Sequence, residues 1–446
     1  MKLLLSLLLI LPIFGQLIRI PYADRIGLMP TDLVVGLVLV LWVFNAIKEK
    51  KFLITKSFAL PFVFFFGWAL FSLILNIADL SLQFTDALQS LAYYLRYLSY
   101  FLLIFVFIQE LKSKKNLESY FKNLLFFSAF IIAILGFLQL SFFPSFYELR
   151  MHEIGWDPHI GRLLSSWFDP NFLGGYFVFV LSLLGGEIWS VIQKLKDGKN
   201  KGFLHSSLHS SVEMTKEVGV IYSTQRTKIL IYSIIFITLL IALILTYSRS
   251  SYLAFIVAGA VFALVAERRL IVIGCIVITL ALSFSPRMQE RTLDAVSSAQ
   301  ALFTQTEKTL DPTSRLRVKS WEVGMSIFKE KPITGIGFNT LRTQQKKYWS
   351  FLTKSHAGSG IDASLLTVLA TTGFVGLLGF VWLWGKIILL ALNGFIKERN
   401  GFSLGLFAGF LGILAHSVFV NTLFFSLFLP TLMLGCGIVA YKGLEQ

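Results

Sequence analysis

The sequence predicts an all-α integral membrane protein, with about twelve transmembrane helices and a long, partly helical loop on the outer side. Of the 446 residues, 55% are hydrophobic and 15% are charged, and the mean hydropathy is +0.72. Soluble domains carry about 25% charged residues. Apolar stretches of about twenty residues, enough to cross a hydrocarbon core of roughly 30 Å as helices, recur along the whole chain. A water-soluble enzyme is therefore excluded, and one continuous membrane domain, 1–446, is the simplest organisation.

The predicted spans follow these apolar stretches in order. They cover 3–20, 31–47, 58–77, 86–108, 119–143, 168–193, 229–247, 251–266, 270–284, 361–391, 403–424 and 426–441. The first span has a charged start like a signal peptide, but Gly15–Arg19 contains no small-x-small cleavage site. We therefore retain it as the first helix.

Clusters of lysine and arginine predict the orientation of the helices. With a cytoplasmic N-terminus, the inner loops receive nearly all of these clusters. They are Lys48 to Lys56, Lys112 to Lys115, the basic segment 194–228, Arg268 with Arg269, and Lys397 with Arg399. This asymmetry satisfies the positive-inside rule and leaves both termini in the cytoplasm. The segment 194–228 is then a cytoplasmic linker loop, and 144–167 and 285–360 are a short and a long outer loop.

The net charge of +15 does not indicate a nucleic-acid partner. The basic residues fall between apolar spans, without the interleaved aromatic platforms on which bases stack. Within the long outer loop, Val318, Trp321, Met325 and Phe328 recur at helical spacing after Thr313-Ser314, which is a helix-start signal. This pattern predicts an amphipathic helix that lies on the membrane surface.

Arg96 stands near the middle of the fourth predicted span. A charge at that depth costs at least about 2.5–3.5 kcal/mol on insertion scales, so a neighbouring group must compensate it. Tyr93, Tyr97 and Tyr100 share its helix face at spacings of three and four. One interpretation is a polar, aromatic cavity wall that includes Arg96 and Tyr97. The other is an arginine paired with a buried carbonyl or carboxylate, which only fastens two helices.

Several arginines lie at the predicted outer face. Arg249 stands between hydroxyl residues where the seventh span turns into the eighth. A guanidinium with five fixed donors beside a helix N-terminus suits a diphosphate, and an arginine that reaches lipid headgroups is the alternative. Arg315 and Arg317 precede the amphipathic helix, where Arg317 is able to face a headgroup or is a solvated charge. Arg162 precedes Asp169-Pro170, in which the aspartate is expected to cap the sixth helix.

Two residues before the tenth span are candidates for a general base. A histidine ordinarily titrates near neutrality, and Asp362 can orient His356 or act beside it, so the pair can deprotonate a hydroxyl group. We favour His356, because the N-terminal end of a helix is expected to hold the pKa of Asp362 low. The alternative for His356 is a surface histidine next to a helix start. The outer segments contain no metal-ligand pattern, so we expect neither a metal nor another cofactor.

Four short motifs follow one another along the chain. They are Arg162 with Asp169-Pro170-Asn171; Tyr247-Ser248-Arg249-Ser250; Ser314-Arg315 and Trp321 with the run Lys331 to Phe338; and Asp362-Ala363-Ser364 with the run Thr372 to Leu377. From about residue 90 to 440, this order resembles the O-antigen ligase and O-antigen polymerase superfamily of bacterial inner-membrane glycan transferases.

The resemblance implies a donor, an acceptor and roles for residues. Members transfer glycans from undecaprenyl diphosphate at the periplasmic face, and Arg162, Arg249 and Arg315 inherit the contacts with the donor diphosphate. We add Arg317 to this set and Asn171 to the cavity wall. In ligases a loop histidine activates the acceptor. Members often have His-Asn-Ser or Asp-Asn-Ser where this chain has Asp362-Ala363-Ser364, and the nearest histidine, His356, lies six residues upstream.

The sequence therefore predicts a metal-independent, inverting glycosyltransferase of the inner membrane. An O-antigen ligase that acts on lipid A core is the favoured interpretation. A polysaccharide polymerase, which extends a growing glycan, and a protein O-oligosaccharyltransferase are alternatives with the same donor. The competing class is a transporter or flippase of lipid-linked glycans. A transporter should concentrate broken helices and charges at the membrane midplane, whereas this chain gathers its arginines near one face.

Overall fold

A computed structural model describes most of the chain. The described residues are 1–23, 26–49, 56–79, 84–113, 116–154, 156–205, 212–269, 312–342 and 360–443, with single positions between 271 and 297. His356, and most of the predicted ninth span at 270–284, lie outside these residues.

The described chain is built almost entirely of helices, which agrees with the predicted fold class. Their bounds are α1 Lys2–Ile10, α2 Pro30–Glu49, α3 Lys56–Asp79, α4 Phe84–Ser113, α5 Leu117–Phe142, α6 Pro170–His205, α7 Val212–Leu245, α8 Arg249–Val265, α9 Pro312–Glu330, α10 Ser364–Glu398, α11 Gly401–His416 and α12 Leu429–Lys442. Two short strands, β1 (Ile20–Ala23) and β2 (Ile26–Leu28), pair antiparallel between α1 and α2.

Seven of the described helices contain a stretch long and apolar enough to cross a membrane, namely α2 to α7 and α10. Four shorter apolar helices, α1, α8, α11 and α12, pack among them. The molecule is thus a helical membrane protein. The total of about twelve spans stays a prediction.

The first and eleventh predicted spans extend too far. The first, 3–20, leaves α-helical geometry at Ile10 and continues as two 3-10 turns. Here the carbonyl groups of Pro12 and Ile13 accept hydrogen bonds from Trp167 and Ser166, so this backbone is held by tertiary contacts. The eleventh, 403–424, ends at His416, and the chain then turns through a short 3-10 segment, Thr422–Phe424.

The segment 194–228, predicted as a linker loop, is largely helical. Helix α6 continues to His205 and α7 begins at Val212. The prediction rested on the absence of apolar periodicity. However, the segment contains six lysines, and lysine is a good helix former whose helix propensity does not depend on an apolar face.

Helix α9 forms where the long outer loop was predicted to be amphipathic, but another face of it is buried. Met325 of the predicted stripe is 40% exposed, whereas Val323 and Ile327 are buried in a cluster with Ile361 and Ala370. An apolar pair at spacing four defines this second face. The helix packs against α10 and the chain before it, and Trp321 of the predicted stripe also contacts the buried cluster. That the exposed part of the stripe lies on the membrane surface stays a prediction.

Helix α10 is broken near its start. Gly373 has φ +68° and ψ −173°, a conformation that is essentially restricted to glycine. The chain at 332–337 inserts into the break, where Ile336 and Gly337 donate to the carbonyl groups of Ala370 and Thr371, and Phe374 donates to Pro332. The backbone groups that the break releases are therefore satisfied by protein.

A buried ion-pair cluster marks one end of the bundle. Lys122 of α5 lies 2.7 Å from Glu187 of α6 and contacts Glu118. Glu118 also pairs with Lys442 at the end of α12, at 2.9 Å. Asn171 lies at the start of α6, and Glu187 lies sixteen residues further along this helix, which corresponds to about 24 Å. The candidate site lies at the end of the bundle where α6 begins.

Candidate active site

A cavity of about 830 Å³ opens at the end of the bundle opposite the ion-pair cluster. Its wall comes from seven separate parts of the described chain: the turn after α1, the loop before α6 with the first turn of α6, the turn between α7 and α8, Arg287, α9, the residues before α10 and the turn after α11. Among the described lining residues are five arginines and three aspartates. They are Arg19, Arg162, Arg249, Arg287 and Arg317, with Asp157, Asp169 and Asp362. All seven parts belong to the side that the lysine and arginine clusters predict to be outside.

The turn between α7 and α8 is built around Arg162. Its Nε donates to the carbonyl oxygen of Thr246 at 2.8 Å, and Nη2 lies 3.3 Å from the carbonyl oxygen of Tyr247. Leu163 donates its backbone N–H to Leu245. Arg162 thus caps the C-terminal end of α7, where a positive charge is favourable. The two motifs that contain Arg162 and Arg249 are in direct contact.

Ser248 is the N-cap residue of α8, so Arg249 stands in the first turn of this helix. Its Nη2 lies 3.4 Å from Ser314 Oγ of α9. Arg317, one turn further along α9, also lines the cavity. The motif that contains Ser314 therefore contacts the motif that contains Arg249. The guanidinium groups of Arg249 and Arg317, which belong to different helices, line the same cavity.

Asp362 is held by α9 through its backbone. Ser320 Oγ accepts from its N–H at 3.2 Å, and Trp321 Nε1 donates to its carbonyl oxygen at 3.3 Å. Its side chain lines the cavity. Burial raises the pKa of Asp362, although nearby Arg317 acts to lower it. The expectation that this pKa is held low is therefore wrong, because removal of water from the carboxylate outweighs the favourable charges.

Asp169 caps α6 as its sequence predicts. Its Oδ1 accepts from the N–H groups of Asn171 at 2.7 Å and Phe172 at 3.1 Å. Burial raises the pKa of Asp169, while those two hydrogen bonds lower it. The cap aims the first turn of α6 at the cavity, and Asn171, predicted as a cavity residue, lies in the lining.

Two cavity arginines have no signal in the sequence motifs. Arg287 donates to the carbonyl oxygens of Ile160 and Gly161 at 2.6 Å, and its guanidinium lies 4.6 Å from the ring centre of Tyr247. Arg19 lies after the 3-10 turns, with its guanidinium 6.0 Å from the ring centre of Trp156. The one available signal was their place at the predicted outer ends of the first and ninth spans.

Aromatic side chains and one histidine also belong to the described lining. Phe172 and Phe425 stack with ring centres 4.0 Å apart, and Phe425 also packs on Trp167. His159 lies in the short loop 144–167, beside Trp156. Apolar ring faces next to guanidinium groups suit a ligand with both sugar and phosphate parts.

The remaining predicted site residues lie elsewhere. Arg96 Nε is 2.8 Å from Asp32 Oδ1, which also accepts from Tyr100 at 2.8 Å, so Arg96 fastens α4 to α2 in the way its alternative interpretation described. Tyr97 is buried and stacks on Phe424, a cavity residue, with ring centres 4.6 Å apart. Arg315 is exposed on α9 and is not in the described lining.

The comparisons with known proteins agree with the motif pattern. Residues 234–381 match a family model described as O-antigen ligase. This confirms the resemblance to the O-antigen ligase superfamily, over a range that runs from α7 into α10 and includes Arg249, Arg317 and Asp362. A search of curated proteins found no match.

Proposed function

We propose that this protein transfers a glycan from undecaprenyl diphosphate to an acceptor hydroxyl. The proposal starts from the match of residues 234–381 to the O-antigen ligase family. The family supports glycosyltransferase activity of the ligase and polymerase type. The proposal adds the donor, the arginine site and the periplasmic face of a bacterial inner membrane.

One observation carries the proposal: separate segments bring five arginines, Asp362 and stacked aromatic rings to one cavity within the described chain. Arginine binds phosphate oxygens with two parallel hydrogen bonds, which a lysine cannot reproduce. Arg249 and Arg317 flank the space into which Asp362 faces. A diphosphate held by these arginines would leave the anomeric carbon of its glycan within the same cavity.

The reaction is a single displacement at that carbon. The acceptor oxygen forms a bond to the anomeric carbon, and the bond from this carbon to the diphosphate oxygen breaks. The acceptor proton passes to a base, for which Asp362 and His356 are the candidates, and undecaprenyl diphosphate leaves with the bonding electrons. The arginines stabilise the negative charge that develops on the leaving diphosphate. Attack from the face opposite the leaving group inverts the anomeric configuration.

The acceptor is a separate part of the proposal. Lipid A core is our first choice, which makes the protein an O-antigen ligase. Polymerisation of repeat units and transfer to protein use the same donor site and differ in the acceptor alone. Purified protein given one defined donor and each acceptor in turn distinguishes these alternatives by the product formed.

A transporter of the same lipid-linked glycans is the competing proposal. A transporter uses the backbone groups of broken helices as ligands near the midplane. Helix α10 is broken, but the released groups are bonded to residues 332–337, and the carbonyl oxygen of Thr372 accepts from Trp68 Nε1 at 2.8 Å. Among the described residues, the break thus serves to hold the inserted chain.

The proposed orientation predicts opposite labelling at two serines. In a variant without Cys275 and Cys436, an introduced Ser297→Cys is expected to react with a membrane-impermeant maleimide in intact spheroplasts. Ser207→Cys is expected to react only after permeabilisation, because segment 194–228 is proposed to be cytoplasmic. Labelling of Ser207→Cys alone in intact spheroplasts would reverse the orientation and move the cavity to the cytoplasmic face.

Two neighbouring arginines on α9 give a matched test of the donor site. Arg317 lines the cavity, whereas Arg315 is exposed outside it. Arg317→Lys is expected to lower kcat/KM about tenfold or more, since a charge-assisted hydrogen bond contributes roughly 1.5–3 kcal/mol. Arg315→Lys is expected to have a much smaller effect. Equal losses in the two variants would show that the diphosphate binds outside the described cavity, and would support the role that the resemblance gave to Arg315.

A further inference from the structure

A chain of polar groups runs behind the cavity wall and ends at His416. This histidine is fully buried at the last residue of α11. Its Nε2 lies 3.2 Å from both Ser250 Oγ and Ser251 Oγ of α8, and its Nδ1 lies 2.6 Å from Thr422 Oγ1. The imidazole therefore connects the start of α8 to the turn after α11.

The other end of this chain of groups is Asn171, in the cavity lining. Ser251 Oγ donates to Ser248 Oγ at 2.9 Å, and Ser248 Oγ donates to Asn171 Oδ1 at 2.9 Å. Arg162 Nη2 donates to the same Oδ1 at 3.4 Å. Helices α6, α8 and α11 meet here closely, because Gly174 leaves the space that Ser251 occupies.

One assignment of the protons is consistent with this network, and it starts from Arg162, which can only donate. The atom of Asn171 that faces it must be the amide oxygen, so Ser248 spends its single proton on that oxygen. Ser248 then accepts from Ser251, and Ser251 accepts from His416 Nε2–H. A neutral histidine has one N–H, so Nδ1 accepts from Thr422. In this assignment His416 carries its proton on Nε2, and the amide oxygen of Asn171 faces Arg162. Ser250 Oγ, 3.2 Å from both Ser248 Oγ and His416 Nε2, is a second candidate partner of these two groups.

We infer that His416 is a positioning residue, which holds Asn171 with its NH₂ group available to the cavity for a hydrogen bond to an anionic oxygen of the substrate. In the part of the chain that the structure describes, no group accepts a hydrogen bond from Asn171 Nδ2, although the residue lines the cavity. Without the serine network, the long contact from Arg162 Nη2 at 3.4 Å is the one hydrogen bond to Asn171 Oδ1 that remains among the described residues, so the amide is held less firmly in this orientation. The inference rests on the proposed function, because it gives the amide a diphosphate oxygen as its acceptor.

Binding of farnesyl diphosphate, a short polyprenyl diphosphate, tests the inference on the purified full-length protein in detergent. Asn171→Ala is expected to bind this probe about tenfold more weakly than the parental protein, which corresponds to about 1.4 kcal/mol. His416→Leu is expected to lose a large part of the same affinity. His416→Gln should recover most of it, since the glutamine amide can donate to Ser251 as the imidazole does.

The double variant separates positioning from general damage. If His416 acts through Asn171, adding His416→Leu to Asn171→Ala lowers affinity no further, whereas independent effects add. Ser403→Ala is the matched control on α11: it removes a buried hydroxyl that has no hydrogen-bond partner among the described residues, and it should bind like the parent. Should His416→Leu fail to fold, Ser248→Ala interrupts the same network from α8 and replaces it in both comparisons.

Three results would overturn the inference in distinguishable ways. Parental affinity in folded His416→Leu, or in Ser248→Ala where it takes its place, removes the role of His416 and leaves the proposed donor site intact. Additive losses in the double variant show that His416 does not act through Asn171. A parental protein that does not bind farnesyl diphosphate contradicts the donor site itself, and the inference fails with it.

Discussion

Asp362→Asn is expected to lower kcat by about 10²–10⁴-fold, which is the contribution typical of a positioned general base. The carboxylate lines the cavity, α9 holds its backbone through Ser320 and Trp321, and burial raises its pKa. A raised pKa makes the carboxylate a stronger base than an ordinary aspartate. Asparagine has nearly the same shape and cannot take the proton, so donor binding should be retained while turnover is lost.

The pH profile identifies the base independently of turnover. The base acts when deprotonated, so kcat/KM should fall as the pH decreases through the pKa of Asp362, above the range of an ordinary aspartate. Arg317 acts to lower this pKa. Arg317→Gln removes that positive charge and should therefore move the acid limb of the profile to higher pH. Arg315→Gln, which changes an exposed arginine on the same helix, should leave the limb where it is.

His356→Ala tests the alternative general base, which the sequence analysis favoured because a histidine ordinarily titrates near neutrality. Glu322→Gln, which removes an exposed carboxylate of α9, controls for the loss of charge. Transfer that survives Asp362→Asn but is abolished by His356→Ala, in protein that still binds donor, would assign the base to His356. Asp362 would then orient the acceptor or the histidine.

Gly373→Ala is expected to cause a large loss of stability. Its backbone lies in a region that side chains avoid, which alone costs roughly 1–3 kcal/mol. An added Cβ would also overlap the backbone of Ile333, in the chain that fills the break. We expect a lower melting temperature and a poor yield of monodisperse protein, because closing the break expels residues 332–337.

Gly385→Ala is the matched control further along the same helix. An added Cβ meets no atom within 4 Å there, and alanine favours helical backbone more than glycine does. Its melting temperature should equal or exceed that of the parent. Equal melting temperatures for Gly373→Ala and the parent would mean that α10 can run unbroken and that the inserted chain does not depend on the break.

Local sequence signals predicted the parts of the site that depend on neighbouring residues. Asp169-Pro170 indicated a helix start, and Asp169 caps α6. The turn around Arg249 was predicted between two spans, because the hydroxyl residues interrupt an apolar run. The charge clusters also predicted which loops share a side, and the described segments that line the cavity all belong to one of those sides.

Long-range contacts account for what the sequence did not reveal. The sequence around Gly373 has the pattern of a continuous apolar helix. The break there depends on contacts with residues 332–337, which a local pattern does not show. The buried face of α9 depends on its contact with the chain around Ile361, and a second apolar stripe on the same helix was equally plausible in sequence. His416 gave no signal, because its partners lie up to 166 residues away.

We propose that the cavity catalyses cleavage of a diphosphate-linked glycan. The most direct measurement reconstitutes the purified protein in liposomes with a defined undecaprenyl diphosphate glycan and an acceptor, and follows both products over time. We expect free undecaprenyl diphosphate and glycosylated acceptor to appear in equal amounts, and both to be reduced in Arg249→Lys, which keeps the charge but loses paired contacts to phosphate oxygens. Movement of intact lipid-linked glycan between leaflets, with neither product formed with any of the proposed acceptors, would contradict the claim and indicate a transporter.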